Sequence, residues 1–596
     1  MIQRILSFVK YYVFWVVFFV IQKPLFMLLN VERFTFGDCC AVMAHGLPLD
    51  LSVAAYLTIF YGVLLIVDIW VRSDVVKIIR DVYTGIMIAL TLLIFIGDVG
   101  CFPAWGYHLN KDVFDYLATP KEVLACAPWW QWMVGFGCWL LAIGLWWFIY
   151  RVLTKGERPA TNDRRVAQNV VMFLMTSCLF LPMRGSVTVS TMNTGRVYFS
   201  EDRALNLAAV NPVFNLVESL SENTLNGERY HYMPAEEASR IWEKEIRSGV
   251  LKEAEKLFTT TRPNIVLVVL ESFSRNVLFA MPNMERYAKE GIYFSNMYAN
   301  SYRTDRGLMA VLSAFPGSAT TSLMMVPDKA AKIPQIGQVL AKEGYRLKFY
   351  YGGDEDFTNM RSYLMNGGFK ERVSDHDFPL SDRLSKWGAQ DHVLFDFAAK
   401  DINDRLTTND QRLFSVVLSL SSHEPFEVPY HHYEDSYINA VAYTDSCLGA
   451  FVEKLRESPK WESTVVVLVP DHGYPYPRGI HNYEPRRFAI PLVMVGGAIK
   501  EPKEINTLCS QIDWVPTVLH QMNIDAEQFV FAKDILNAEQ TPYAYYNFVD
   551  GFALITYNDT TIIDAKTNEA IAPYETDTLR AKQARAITQK IYEYID

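Results

Sequence analysis

Apolar residues crowd into the front third of this chain, and polar turns and charge dominate afterwards. Runs near 11–30, 52–71, 83–100, 128–150 and 168–186 are each about as long as the roughly 20 residues a helix needs to cross a bilayer core. Gln22, Lys23 and Pro24 interrupt the first run, and the last is short. One such run alone would read as a buried globular helix. Five in succession, with little soluble sequence between them, predict a transmembrane domain of five helices over 1–186. Lys10 and the lack of a small-residue cleavage motif speak against a removable signal peptide.

From Asn264 onward the pattern changes. The branched apolar runs Ile265–Leu270, Arg346–Tyr351, Leu413–Leu420, Thr464–Val469 and Ile490–Val495 alternate with helix-like segments such as Ile336–Glu343, Asp391–Asn403 and Tyr437–Leu455. Continuous apolar strands alternating with helices predict an α/β domain with a mostly parallel sheet sandwiched by helices. At 596 residues the chain exceeds what one core sustains. The expected organisation is a membrane domain (1–186), a linker with juxtamembrane helices (187–261) and an extracytoplasmic catalytic domain (262–596). Within the linker, charged residues alternate with Ile241, Trp242, Ile246 and Leu251.

Charge supplies the orientation. Segment 72–82 carries Arg72, Lys77 and Arg80, and segment 151–167 carries Arg151, Lys155, Arg158, Arg164 and Arg165. The alternate loops hold only Arg33, Lys111 and Lys121. The positive-inside rule puts the two basic loops and the amino terminus in the cytoplasm, and everything beyond about 187 outside. A net charge of −10 with no basic patch argues against a nucleic-acid partner. Of eight cysteines, Cys39, Cys40, Cys101, Cys126, Cys138 and Cys178 lie in the apolar section. The remaining two, Cys447 and Cys509, read as buried free thiols, with one disulfide as the alternative.

Ligands of α/β sheets gather at the carboxyl ends of strands. Glu271 directly follows Ile-Val-Leu-Val-Val-Leu, and Asp471 and His472 follow Val-Val-Val-Leu-Val-Pro. His423 trails Phe-Ser-Val-Val-Leu-Ser-Leu-Ser-Ser, and Asp354 trails Lys-Phe-Tyr-Tyr-Gly-Gly. One such strand end alone would read as a cap or a surface group, but four together converge on a site. Carboxylates and imidazole suit zinc or manganese, and magnesium less well. Thr304 stands ahead of the helical pattern Leu308–Ala314, where backbone N–H groups and the helix dipole favour an anion such as phosphate. The bland reading of an isolated threonine there is an N-cap.

Several stretches, in this order, carry a family resemblance: Asn264–Ser274, the segment around Thr304, Tyr351–Met360, Trp387–Asp391, Ser422–Phe426, Tyr443–Gly449, Pro470–Gly473, Ile490–Leu492 and Asp513–Leu519. The chain resembles the lipoteichoic acid synthase-like phosphoglycerol transferases of the alkaline phosphatase and sulfatase superfamily. That resemblance implies an enzyme with one divalent cation, usually Mn2+ (Mg2+ or Zn2+ as substitutes), held by Glu271, Thr304, Asp471 and His472. Thr304 would be the nucleophile, its hydroxyl acidified by the metal. It would take a phosphoglycerol-type group from a phospholipid donor. A phospho-threonine ester would then pass that group to a lipid-linked or glycan acceptor of the cell envelope, or to water.

The resemblance further implies a multi-pass protein of the bacterial cytoplasmic membrane, with His423, Asp354 and Arg361 against the substrate. Gly352 stands where the family has a histidine, and Asn359 where it has an aromatic. His481, trailing Pro470–Gly473, reads equally as a site neighbour or a surface group. The alternatives are a phosphoethanolamine transferase or lipid phosphodiesterase of the same superfamily, or a catalytically idle membrane sensor. Sulfate-ester chemistry is excluded, because no C/S-x-P-x-R sequence is present to yield formylglycine.

Overall fold

The structure is a computed structural model and describes residues 1–71, 73–105, 108–111, 113–114, 129–155, 164–187, 190–200, 202–221, 230–247, 255–319, 321–408, 411–549, 551–571 and 578–595. Arg72, Lys121, Arg158, Cys126 and Leu251, invoked above, lie outside the described residues. Contacts divide the chain into two units, Met1–Glu222 and Asn223–Asp596.

The first unit contains α1 (Ile2–Asn30), α2 (Phe36–Val71), α3 (Asp74–Trp105), α4 (Trp129–Leu153) and α5 (Arg165–Cys178), which Phe180–Arg184 extends. By length and composition these are five helices able to cross a membrane. The polar break at Gln22–Pro24 does not end α1. Lys23 Nζ donates to Asp50 Oδ1 of α2 at 2.7 Å, and Asn211 Nδ2 donates to the same oxygen at 2.9 Å. An ammonium neutralised inside the bundle can stay in an otherwise apolar helix.

The second unit is built on a nine-stranded sheet with the order β4-β3-β5-β1-β6-β7-β2-β8, and β9 also pairs with β2. The strands are β1 (Asn264–Leu270), β2 (Ile292–Tyr298), β3 (Arg346–Tyr351), β4 (Glu371–Val373), β5 (Leu413–Leu418), β6 (Thr464–Pro470), β7 (Ala489–Val495), β8 (Lys503–Ile505) and β9 (Cys509–Ser510). The sheet is mostly parallel, as the apolar runs predict. Only β7 runs antiparallel, against both β6 and β2.

Central β1 shows why its run is continuous. Ile265, Leu267 and Val269 enter the core on one face, while Val266, Val268 and Leu270 enter the core on the other. A strand covered on both faces has no polar side to alternate with, and each such side chain contributes about 1.5–3 kcal/mol by leaving water. Ile241, Trp242 and Ile246 join the first of these cores, so the amphipathic stretch of the expected linker packs on the α/β unit. A second, antiparallel sheet of β10 (Ala544–Phe548), β11 (Gly551–Ile555), β12 (Thr560–Asp564) and β13 (Glu569–Ala570) completes the unit with the helix Thr578–Ile595.

Candidate metal and nucleophile site

Adjacent parallel strands β1 and β6 align Leu270 with Pro470, so Glu271 and Asp471 leave the sheet side by side. The turn after β1 places Ser272 at φ +60°, a conformation uncommon outside glycine. From there the Ser272 N–H donates to Asp471 Oδ1 at 2.8 Å, and the His472 N–H donates to the same oxygen at 2.7 Å. Ser419 Oγ accepts the Glu271 N–H, and Ser422 Oγ donates to the Glu271 carbonyl. These serines fix the backbone and leave the acidic side chains free to face one another.

Glu271 Oε1 accepts from Ser272 Oγ at 2.8 Å, and Oε2 accepts from Thr304 Oγ1 at 2.9 Å. His472 Nε2 lies 3.6 Å from Glu271 Oε1 and 3.5 Å from Asp471 Oδ2. One ligand atom from each of Glu271, Asp471 and His472 falls within 4.8 Å of the others. Asp471 Oδ2 is buried and has no hydrogen-bond partner. Burial, with the Asp471 charge adding, holds Glu271 well above the usual carboxylate range. Burial also pushes Asp471 up to about 6 and drives His472 down. Such a group is costly without a compensating charge. Two hard oxygens, an imidazole and an orphaned buried carboxylate oxygen fit a divalent cation.

Thr304 opens helix α6 (Thr304–Ser313). The cap position is Arg303, in extended conformation, and no side chain caps the helix. The Thr304 hydroxyl is therefore directed to Glu271 and not to capping. Its neighbours place it there, since a Cβ on Gly307 would lie 2.4 Å from the Asp471 carbonyl oxygen. Only glycine lets the helix come this close.

His423 is half-buried, with Nδ1 2.8 Å from the Glu424 carbonyl oxygen and its ring 4.3 Å from the Trp387 ring. Asp354 is buried and accepts the Asp356 N–H at 2.9 Å. Arg361 pairs with Glu355 at 3.0 Å and with Asp356 at 2.5 Å. A Cβ on Gly352 would lie 2.4 Å from the Ala389 carbonyl oxygen, so that position has no room for a histidine side chain. Asn359 is buried, left-handed, and donates from Nδ2 to the Met325 carbonyl at 3.1 Å. His481 is exposed and stacks on Tyr483.

Three features here were not anticipated from sequence. The serine frame of Ser272, Ser419 and Ser422 carries no distinctive signal. Trp387, T-shaped to Phe357 at 5.5 Å, supplies an aromatic wall beside His423. The Nε of Arg487 is buried without a partner while its charge acts on His472. Cys447 and Cys509 are both buried free thiols.

Residues 263–524 match the sulfatase family. The chain is 21% identical over 349 residues to the lipoteichoic acid synthase-like YvgJ of Bacillus subtilis (strain 168), covering 52% of this chain and 55% of that protein. It is 24% identical over 353 residues to phosphoglycerol transferase I of Xanthomonas campestris pv. campestris (strain ATCC 33913), covering 54% of this chain and 48% of that protein. The chain thus spans about half the length of the curated relatives it matches. Among solved structures, an alkaline phosphatase superfamily protein from Vibrio parahaemolyticus aligns with TM-score 0.54 at 23% identity, over 62% of this chain and 98% of that one. The lipoteichoic acid synthase LtaP from Listeria monocytogenes aligns with TM-score 0.51 at 20% identity, over 61% and 98%. Fold and sequence together define a sulfatase-family domain with the alkaline phosphatase fold. Within that superfamily the chain is similar to proteins named lipoteichoic acid synthase-like and phosphoglycerol transferase I.

Proposed function

We propose that the chain is a membrane-anchored transferase that moves a phosphoglycerol-type group from a phospholipid to a cell-envelope acceptor through Thr304. The observation that carries this reading is the Thr304 Oγ1 to Glu271 Oε2 hydrogen bond inside the Glu271, Asp471 and His472 cluster. Those four residues would hold one divalent cation, Mn2+ first among the candidates. When bound, the cation acidifies the threonine hydroxyl and offsets charge on the phosphoryl oxygens. The Thr304 proton passes along its hydrogen bond to Glu271 as Oγ1 attacks phosphorus. The bond from phosphorus to the lipid oxygen breaks, and His423, through Nε2, protonates the departing diacylglycerol oxygen. An acceptor hydroxyl or water then attacks the phospho-threonine ester and gives its proton to His423, the bond from phosphorus to Thr304 Oγ1 breaks, and Glu271 returns its proton to that oxygen.

A lipid donor accounts for the five apolar helices, which keep the α/β unit at a bilayer surface. By the positive-inside rule, the basic loops would leave that unit outside the cytoplasmic membrane. Asp354 and the Trp387 wall would face the donor's head group. With Gly352 and Asn359 committed to backbone contacts, that pocket differs from the family pattern, so the head group is the variable to test. Purified chain is given phosphatidylglycerol or phosphatidylethanolamine labelled in the head group, and the peptide containing Thr304 is analysed. Label from phosphatidylglycerol on Thr304 is the expected result. Label from phosphatidylethanolamine alone would transfer the proposal to that donor, and label from neither would sink it.

A further inference from the structure

The geometry that assembles Glu271 and Asp471 recurs once more in the same sheet. Adjacent parallel strands β3 and β4 pair Tyr350 with Val373, and just past their carboxyl ends stand Asp354 and Asp375. A hydrogen bond from the Asp375 N–H to the Gly353 carbonyl, 2.9 Å, staples the two strand ends together. Reciprocal bonds between Ser374 and Asp377 fix the turn that carries Asp375 and His376. As in the first group, an aspartate is followed directly by a histidine.

One ligand atom from each of Asp354, Asp375 and His376 lies within 4.8 Å of the others. Asp354 is 5% exposed and Asp375 4%, so two carboxylates are brought together out of water. Arg383 reaches Asp375 Oδ2 at 3.6 Å and leaves Oδ1 alone. That Oδ1 is buried without a hydrogen-bond partner, as Asp471 Oδ2 is in the first group. His376 Nε2 stands 3.7 Å from it, and the imidazole is 55% exposed, which gives an ion a route from solvent.

We propose that Asp354, Asp375 and His376 form a second divalent-cation site, separate from the one at Thr304. Two carboxylates and one imidazole suit Mn2+ and leave coordination positions open for water or a substrate oxygen. Asp354 would then meet a head-group hydroxyl or phosphate through the cation instead of directly. This site does not require Thr304 to be the nucleophile.

Metal content separates the two. Full-length chain in detergent is stripped with chelator and titrated with Mn2+, and bound metal per chain is measured. The wild type should hold two ions, and His376→Ala and Asp375→Asn should each hold one. Glu271→Gln should also hold one, and the double variant Glu271→Gln/His376→Ala close to none. His376 is exposed, so its substitution leaves the fold intact, and circular dichroism checks Asp375→Asn. Two ions remaining in both His376→Ala and Asp375→Asn would overturn the proposal. So would a wild type with a single ion that Glu271→Gln abolishes, which leaves the Thr304 site standing. A single ion lost with His376→Ala but kept in Glu271→Gln would support this site and remove the first.

Discussion

Gly307 lies against Asp471, with room for a hydrogen and no more: a Cβ would meet the Asp471 carbonyl oxygen at 2.4 Å and its carbon at 2.7 Å. This contact sets the distance between the first turn of α6 and the end of β6, and hence between Thr304 and the acidic cluster. Gly307→Ala should cost about 1–3 kcal/mol through overpacking. It should also lengthen the Thr304 to Glu271 contact and slow transfer far more than the lost stability explains. Chemical denaturation together with initial rates on labelled phospholipid tests this; a destabilised but fully active variant would contradict it.

The acidic ends of β1, β3 and β6 were legible because apolar runs give way to Glu271 and Asp471 directly and, after two glycines, to Asp354. Strand β2 was not, since Ser295 and Asn296 break its apolar run, and β4 and β8 have only three residues each. The direction of β7 is hidden for a physical reason: a strand buried on both faces reads the same parallel or antiparallel. The close approach at Gly307 and the serine bonds behind Glu271 are tertiary facts, with nothing local to announce them. Thr304 was legible by its place ahead of a helix and by the family resemblance, and its hydroxyl's choice of Glu271 over capping needed the fold.

Thr304→Ala removes the hydroxyl while keeping Glu271, Asp471 and His472. Turnover should fall by about 10³-fold or more, with cation binding weakened but present. Thr304→Ser should retain a measurable fraction of the rate, because its oxygen occupies the same place. Steady-state rates with metal content measured in parallel decide the matter. Unchanged turnover in the alanine variant would mean that another group attacks phosphorus.

Cation and proton compete for the same buried oxygens. In the metal-free chain Asp471 titrates near 6, against about 3.9 when unfolded. A carboxyl whose folded value is raised binds its proton more tightly when folded. The metal-free protein therefore gains stability as pH falls through about 6 towards the unfolded value, and loses it above. With Mn2+ bound the sign reverses, because acid displaces the ion. Free Mn2+ at 100 times its dissociation constant should add about 2.7 kcal/mol near neutrality. That increment should shrink as pH drops below about 6. Melting curves with Mn2+ or with chelator across this range would show it, and an increment independent of pH would exclude Asp471 as a ligand.

His423 and Trp387 act as a pair. The indole Nε1 donates to the Glu424 carbonyl at 2.7 Å, the same oxygen that His423 Nδ1 faces at 2.8 Å, and the rings lie 4.3 Å apart. One carbonyl thus sets both rings, and the His423 Nδ1–H···O bond leaves Nε2 as the working nitrogen. If His423 protonates the leaving oxygen, His423→Ala should lower kcat by about 10²-fold or more for a phospholipid donor. The loss should be much smaller for a donor whose leaving group is a nitrophenol, which departs without a proton. Trp387→Phe keeps the wall but frees the imidazole to rotate, so it should lower kcat less than His423→Ala does and leave KM close to the wild type. Equal losses on both donors would instead make His423 a phosphate-holding residue.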